Sequence, residues 1–192
     1  INSYKIIRQN AKNVPVLGNI GAAQVIEIQK TDSIKYLIEL IEADAMVIHL
    51  NPLQELLQKD GDINFKGFLK SAEKIIKENK IPFIAKEVGA GISDIAAKRL
   101  LDAGFAGIDV AGAGGTSWAG VELLRHNNDS DNIFWDWGLP TSYCIRKIFK
   151  LKKDYNFILI GSGGINNPFD SAKAIALGAD ITASARIILQ EL

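Results

Sequence analysis

The chain has 192 residues, 47% of them hydrophobic and 23% charged, which is enough to enclose one sizeable core. Its 22 basic and 22 acidic residues cancel, which speaks against nucleic acid or an anionic membrane as partner, so any anion must be held locally. The single cysteine, Cys144, excludes an internal disulfide framework, no apolar run reaches membrane-spanning length, and the first residues lack the layout of a signal peptide; a soluble, cytoplasmic protein is expected.

In chain order, Ser3 to Ala11 reads as the tail of a helix and Val14 to Gly21 as a buried strand ending in glycine. Apolar Ile34, Leu37, Ile38 and Ile41 fall at helical spacing within Ser33 to Glu42. A strand follows over Ala45 to Leu50, then a helix from about Phe65 to Lys77 and a strand over Pro82 to Glu87. GAGIS leads into a helix over Asp94 to Ala103, closed by Gly104. Strand GIDVAG, helix SWAGVELLR, a polar segment His126 to Asn132 and a helix near Thr141 to Phe149 come next. Strand FILIGSG, a helix over Pro168 to Leu177 and a short strand ITASA complete the pattern.

Near-continuous apolar strands alternating with helices argue a parallel sheet covered by helices, in one domain with no internal repeat. Function then belongs at the carboxyl ends of the strands. Asn19, His49, Asn51, Lys86 and two glycine clusters fall at or just past those ends. A closed eight-stranded barrel usually needs at least about 200 residues. The pattern holds six strands and opens inside a helix, so the front of such a barrel is expected to be missing.

Gly107 to Trp118, GIDVAGAGGTSW, and Ile158 to Ile165, ILIGSGGI, each bring an apolar run up to closely spaced glycines. Glycine lets backbone N–H groups approach a phosphate, and a following helix presents its positive end. Either cluster alone is equally a plain turn; two on successive strands point to a phosphate site. Thr116, Ser117 and Ser162 could add hydroxyl donors, and Asn19 could bind a ring edge or cap a turn.

HLNPLQE, His49 to Glu55, is the most unusual stretch. On a strand His49 and Asn51 share one face, Pro52 stops the strand, and Gln54 and Glu55 follow on the turn. An imidazole, two amides and a carboxylate at a strand mouth suit a phosphorylated substrate, with Glu55 able to hold a hard cation such as Mg²⁺; the bland alternative is a satisfied buried histidine and a surface turn. Lys86 ends an apolar strand, so it either pairs with Glu87, Asp109 or another acid, or faces a bound anion or an electron-rich ring. Trp137 could wall a pocket, His126 reads as solvated, and Cys144 and Met46 read as packing. There is no nucleophile elbow, paired-cysteine zinc pattern or Walker loop.

PVLGNIG, EADAMVIHLNPLQE, PFIAKEVGAGIS, GIDVAGAGGTSWAGVE, DWGLPT and GSGGI followed by AKAIALGAD, in this order, resemble the type II isopentenyl-diphosphate isomerases over nearly the whole chain. HLNPLQE is the most specific of these; GSGGI and WGLPT are shared more widely among flavin-dependent barrels. The resemblance implies a (β/α)₈ TIM barrel with FMN and Mg²⁺, a flavin reduced commonly by NADPH, and interconversion of isopentenyl and dimethylallyl diphosphates without net redox change. It implies FMN contacts from Asn19, Lys86, Thr116, Gly163 and Gly164, substrate contacts from His49, Asn51 and Gln54, proton movement at Gln54, Mg²⁺ at Glu55, and Trp137 near the pocket. It also implies a homo-oligomer, tetramer or octamer.

Relative to that family, the opening third with the first two strands and the C-terminal helical portion are absent, and ITASARIIL and GINNP depart from the usual pattern at the phosphate end. GSGGI and WGLPT leave an FMN oxidoreductase of the hydroxyacid-oxidase type as an alternative, which needs a catalytic histidine late in the chain, and none follows His126. The third reading is a non-catalytic, phosphate-binding barrel fragment.

Overall fold

The computed structural model describes residues 2–28, 32–125 and 132–190. Six strands form one parallel sheet in sequential order: β1 (Leu17–Gly21), β2 (Ala45–Leu50), β3 (Phe83–Glu87), β4 (Gly107–Asp109), β5 (Ile158–Ser162) and β6 (Ile181–Ala183). The helices are α1 (Asn2–Asn10), α2 (Ala22–Glu27), α3 (Asp32–Ile41), α4 (Pro52–Leu57), α5 (Phe68–Glu78), α6 (Asp94–Asp102), α7 (Trp118–Arg125), α8 (Thr141–Ile148), α9 (Pro168–Ala176) and α10 (Arg186–Gln190). Each crossover returns the chain to the same end of the sheet, as parallel pairing demands, so all strand tips gather on one edge.

Local sequence explains where the helices begin. Ser93 caps α6, its hydroxyl accepting the Ala96 N–H at 3.1 Å, and Asn167 caps α9 in the same way from Asp170 at 3.0 Å. Prolines occupy the first turn of both α4 and α9. One sheet face, through Ile48, Ala85, Ile108 and Leu159, packs against Ile34, Ala72, Ile75, Leu100, Ile145 and Ile148 from the helices, giving the main core. The other face carries only a small cluster of Ala45, Ile84 and Ile160 with Val47 against it. There Leu17, Ile158 and Ile181 stay 45%, 49% and 50% exposed.

The expected parallel α/β arrangement is therefore present, but the expected TIM barrel is not. Strands β1 and β6 are the two edges of an open sheet and do not pair with each other among the described residues. A barrel requires a closed ring of hydrogen-bonded strands, and six strands with free edges do not make one.

Short helices α2, α4 and α10 were not expected from periodicity, since six or fewer residues span too little of a helical repeat to register. Gln54 and Glu55 consequently lie in the first turn of α4 instead of on a turn outside any helix. His126 lies outside the described residues. Cys144 is buried with its thiol 3.7 Å from the Leu139 carbonyl oxygen, and burial pushes that thiol up to about 11, which favours the protonated, packing form. Among the described residues no helix is long and apolar enough to cross a membrane.

Candidate functional site

The register of the sheet sets the site. Gly21 pairs with His49, His49 with Lys86, and Lys86 with Asp109, so an imidazole, an ammonium and a carboxylate stand side by side across three strand ends on one face. His49 Nδ1 lies 3.2 Å from Asn19 Oδ1 on the edge strand, a contact that favours the tautomer with its proton on Nδ1. Burial and the neighbouring Lys86 charge together hold the His49 pKa below its ordinary value, outweighing Glu55, so the ring is neutral at pH 7.

Asp109 is buried and accepts hydrogen bonds from the Ser162 hydroxyl and, at 3.3 Å, from the Ala111 N–H. Burial pushes its carboxyl pKa up against the pull of Ser162, Lys86 and Ala111. Lys86 Nζ donates to the Glu87 carbonyl at 2.7 Å. The lysine therefore hydrogen-bonds backbone and stands beside Asp109 in register.

Beside this row opens a cavity of about 370 Å³, lined among others by Lys86, Asp109, Thr116, Ser162, Gly163 and Gly164. That is the size range of a small-ligand site. The glycine loops after β4 and β5 form its far wall by packing on one another. Gly163 has φ +95°, and an added Cβ there would collide with the Gly112 carbonyl oxygen, so the glycines serve loop-on-loop contact as well as ligand access. The N–H groups of Gly115 and Gly164 find no protein acceptor among the described residues. Ser117 does not face this cavity as a donor: its hydroxyl donates to the Trp135 carbonyl at 2.8 Å and accepts from Gly120 N–H at 3.0 Å.

The HLNPLQE residues form a second cluster, next along the strand edge. Asn51, 5% exposed, donates to Glu55 Oε1 at 2.8 Å, while Glu55 Oε2 accepts the Asp62 N–H at 2.8 Å. Gln54 Nε2 donates to Glu122 Oε1 at 3.2 Å, and Gln58 Nε2 reaches the same oxygen at 3.3 Å. Gln54 also lines a small cavity with Glu87, Val88, Gly89, Ser117, Trp118 and Trp137. Trp137 is 62% exposed and stands edge-on to Phe134, with ring centres 5.9 Å apart. Among the described residues no three His, Cys, Asp or Glu side chains gather as a metal cage.

Comparison with known proteins gives this geometry a context. An isopentenyl-diphosphate delta-isomerase of Chlorobaculum parvum is 46% identical over 204 residues, taking in 99% of this chain and 57% of that protein. The enzymes of the same name from Chlorobium phaeobacteroides and Pseudescherichia vulneris are 42% and 46% identical over 99% and 96% of this chain, and 56% and 54% of their own lengths. The chain is similar to isopentenyl-diphosphate delta-isomerases. It spans a little over half the length of the curated relatives it matches. No family model matches it.

The delta-isomerase resemblance corrects the expectation from sequence in one respect. Membership of the type II, FMN-dependent family does not stand: the relatives' names specify the reaction and no flavin class, and the open sheet is not the closed barrel that the type II resemblance implied. Nothing in those names favours the hydroxyacid-oxidase alternative either.

Glu122 escaped the sequence reading, and Glu87 entered it only in part. Glu122 is 2% exposed; burial pushes its pKa up, but Gln54, Gln58 and Arg125 outweigh that and hold it below the usual value. Its position one helical turn after Ala119, on the buried side of α7, is the signal that could have marked it. Glu87 ends β3 and is 6% exposed. Read only as a possible partner for Lys86, it is instead bound to the loop that follows.

Proposed function

We propose that this chain carries part of the active site of an isopentenyl-diphosphate isomerase, moving a double bond between the isopentenyl and dimethylallyl forms with FMN and Mg²⁺ as cofactors and NADPH as reductant of the flavin. The supporting observation is the row His49–Lys86–Asp109 beside the 370 Å³ cavity, in a chain whose relatives bear the isomerase name along nearly all of its length. The residues present suit a flavin. Lys86 and the glycine loops, with their unpaired backbone N–H groups, line the cavity, and an imidazole and two amides stand on the neighbouring strand ends.

In this reading Lys86 offsets the negative charge of a reduced ring, and Asn19 fixes the edge near His49. Thr116, Gly163 and Gly164 hold the phosphate end. Reduced FMN, when bound, supplies an electron-rich surface and a site for proton exchange. The reaction adds a proton to the terminal methylene carbon of isopentenyl diphosphate and removes one from the carbon two bonds away, with no net redox change. Positive charge builds between these carbons, and a water-excluded site with fixed dipoles stabilises it.

His49 and Asn51 orient the substrate. Gln54 cannot titrate at neutral pH, so its amide orients a proton-bearing group and does not supply the proton. The bond to Glu122 fixes which way that amide points. Glu55 would offer one carboxylate to Mg²⁺, which would offset the charge of the diphosphate. The protein works in the cytoplasm, as a homo-oligomer.

The test is to supply the protein with FMN, dithionite or NADPH, Mg²⁺ and isopentenyl diphosphate, and to follow dimethylallyl diphosphate by NMR. Product that depends on both FMN and Mg²⁺ is expected; turnover that ignores FMN would overturn the flavin part.

A further inference from the structure

The loop between β3 and α6 is organised around one oxygen atom. Glu87 Oε2 accepts the N–H groups of four consecutive residues: Val88 at 2.6 Å, Gly89 at 2.6 Å, Ala90 at 2.5 Å and Gly91 at 3.2 Å. Successive N–H groups converge on one anion only when the backbone alternates in handedness, and Gly89 and Gly91 have φ of +149° and +79°. The loop is therefore an anion nest whose anion is the protein's own side chain.

This loop does three things at the site. Its Val88 and Gly89 wall the 370 Å³ cavity beside Lys86. The main-chain carbonyl of Glu87 holds the Lys86 ammonium at 2.7 Å. Ala90 accepts the Leu139 N–H at 2.8 Å, which ties the turn after Trp137 to the same scaffold.

We infer that Glu87 is a positioning residue: its carboxylate templates the 88–91 loop and thereby sets the cavity wall and the Lys86 ammonium for the ligand. The inference deepens the function proposed above and rests on FMN being that ligand. A purely structural role is the competing account. The two separate because burial, the largest influence on this carboxyl, pushes its pKa up in spite of four N–H donors. The charge is thus kept at a cost to stability, so Glu87→Gln relieves that cost while weakening the acceptor.

The experiment uses Glu87→Gln and Glu87→Ala in the full chain, with FMN titration by fluorescence quenching, residue-resolved hydrogen exchange and thermal melting. Expected for Glu87→Gln are a melting temperature at or above that of the unmodified protein, faster exchange confined to 88–91, and about tenfold weaker FMN binding, with a larger loss for Glu87→Ala. Unchanged FMN affinity in both variants, or exchange rising over the whole sheet in both, overturns the inference. If the unmodified protein takes up no FMN, the proposed function fails in its flavin part; exchange confined to 88–91 in Glu87→Gln would still uphold the templating of the loop.

Discussion

Gln54 and Glu122, 68 residues apart, meet in a 3.2 Å hydrogen bond that joins the first turn of α4 to the middle of α7. The carboxylate is 2% exposed, and its partners are two amides and Arg125, whose side chain is 61% exposed. Because the arginine is largely solvated, the amides do most of the work of keeping the buried charge. Replacing Glu122 with Ala leaves Gln54 and Gln58 without their acceptor and should lower stability by about 2–3 kcal/mol in urea denaturation. Glu122→Gln, which keeps shape and one acceptor, should cost roughly 1 kcal/mol. A loss under about 0.5 kcal/mol for the alanine variant would show that water replaces the carboxylate freely.

His49 gives a pH signature. Its folded pKa lies below the ordinary 6.5 because burial and Lys86 disfavour the imidazolium. With the folded value depressed, the unfolded chain binds the extra proton first as pH falls. The stability contribution is whole above about 6.5 and is lost as pH drops through the folded value. The chain has two histidines, so a ¹H–¹³C titration of a His126→Gln variant isolates the His49 resonance. Its midpoint should lie below 6.5 and rise in Lys86→Met; a midpoint above 6.5 would contradict the buried, lysine-facing placement.

Two glycines of similar backbone geometry should differ in cost. Gly67 and Gly163 have φ of +86° and +95°, but an added Cβ meets nothing within 4 Å at Gly67 and collides with the Gly112 backbone at Gly163. Gly67→Ala should therefore lose only the left-handed penalty, about 1 kcal/mol. Gly163→Ala should lose roughly 2–4 kcal/mol, because the loops after β4 and β5 must part. Equal losses would mean the two loops are not in contact in solution.

Glu55 tests the cation. Both of its oxygens already accept hydrogen bonds, from Asn51 and from the Asp62 N–H. Glu55→Gln keeps most of that shape, so stability should change by under about 1 kcal/mol. The Mg²⁺ concentration needed for half-maximal turnover should rise by about 10- to 100-fold. Unaltered Mg²⁺ dependence would remove Glu55 from the metal.

Much of this was legible in the sequence because apolar runs and helical spacings bounded by polar residues, proline or glycine are hard to mistake. Ala45–Leu50 was read to the residue, and Phe83–Glu87 and Asp94–Asp102 to within one. What escaped has physical reasons. Strand closure is a property of edges, and no residue pattern within β1 or β6 reports whether they meet. Helix α4 is a single turn and a half, too short for its periodicity to show that it holds Gln54 and Glu55. Glu122 and Glu87 are charges buried through partners distant in sequence or on backbone, and side-chain spacing shows neither.

The proposed site requires the tips of β2, β3, β4 and β5 to face one ligand. The most direct measurement is a fluorescence titration of the purified protein with FMN, run in parallel on Lys86→Met. Quenching that saturates at one FMN per chain, and weakens by at least about tenfold in Lys86→Met, is the predicted result. No saturable quenching, or equal affinity in both proteins, would contradict it.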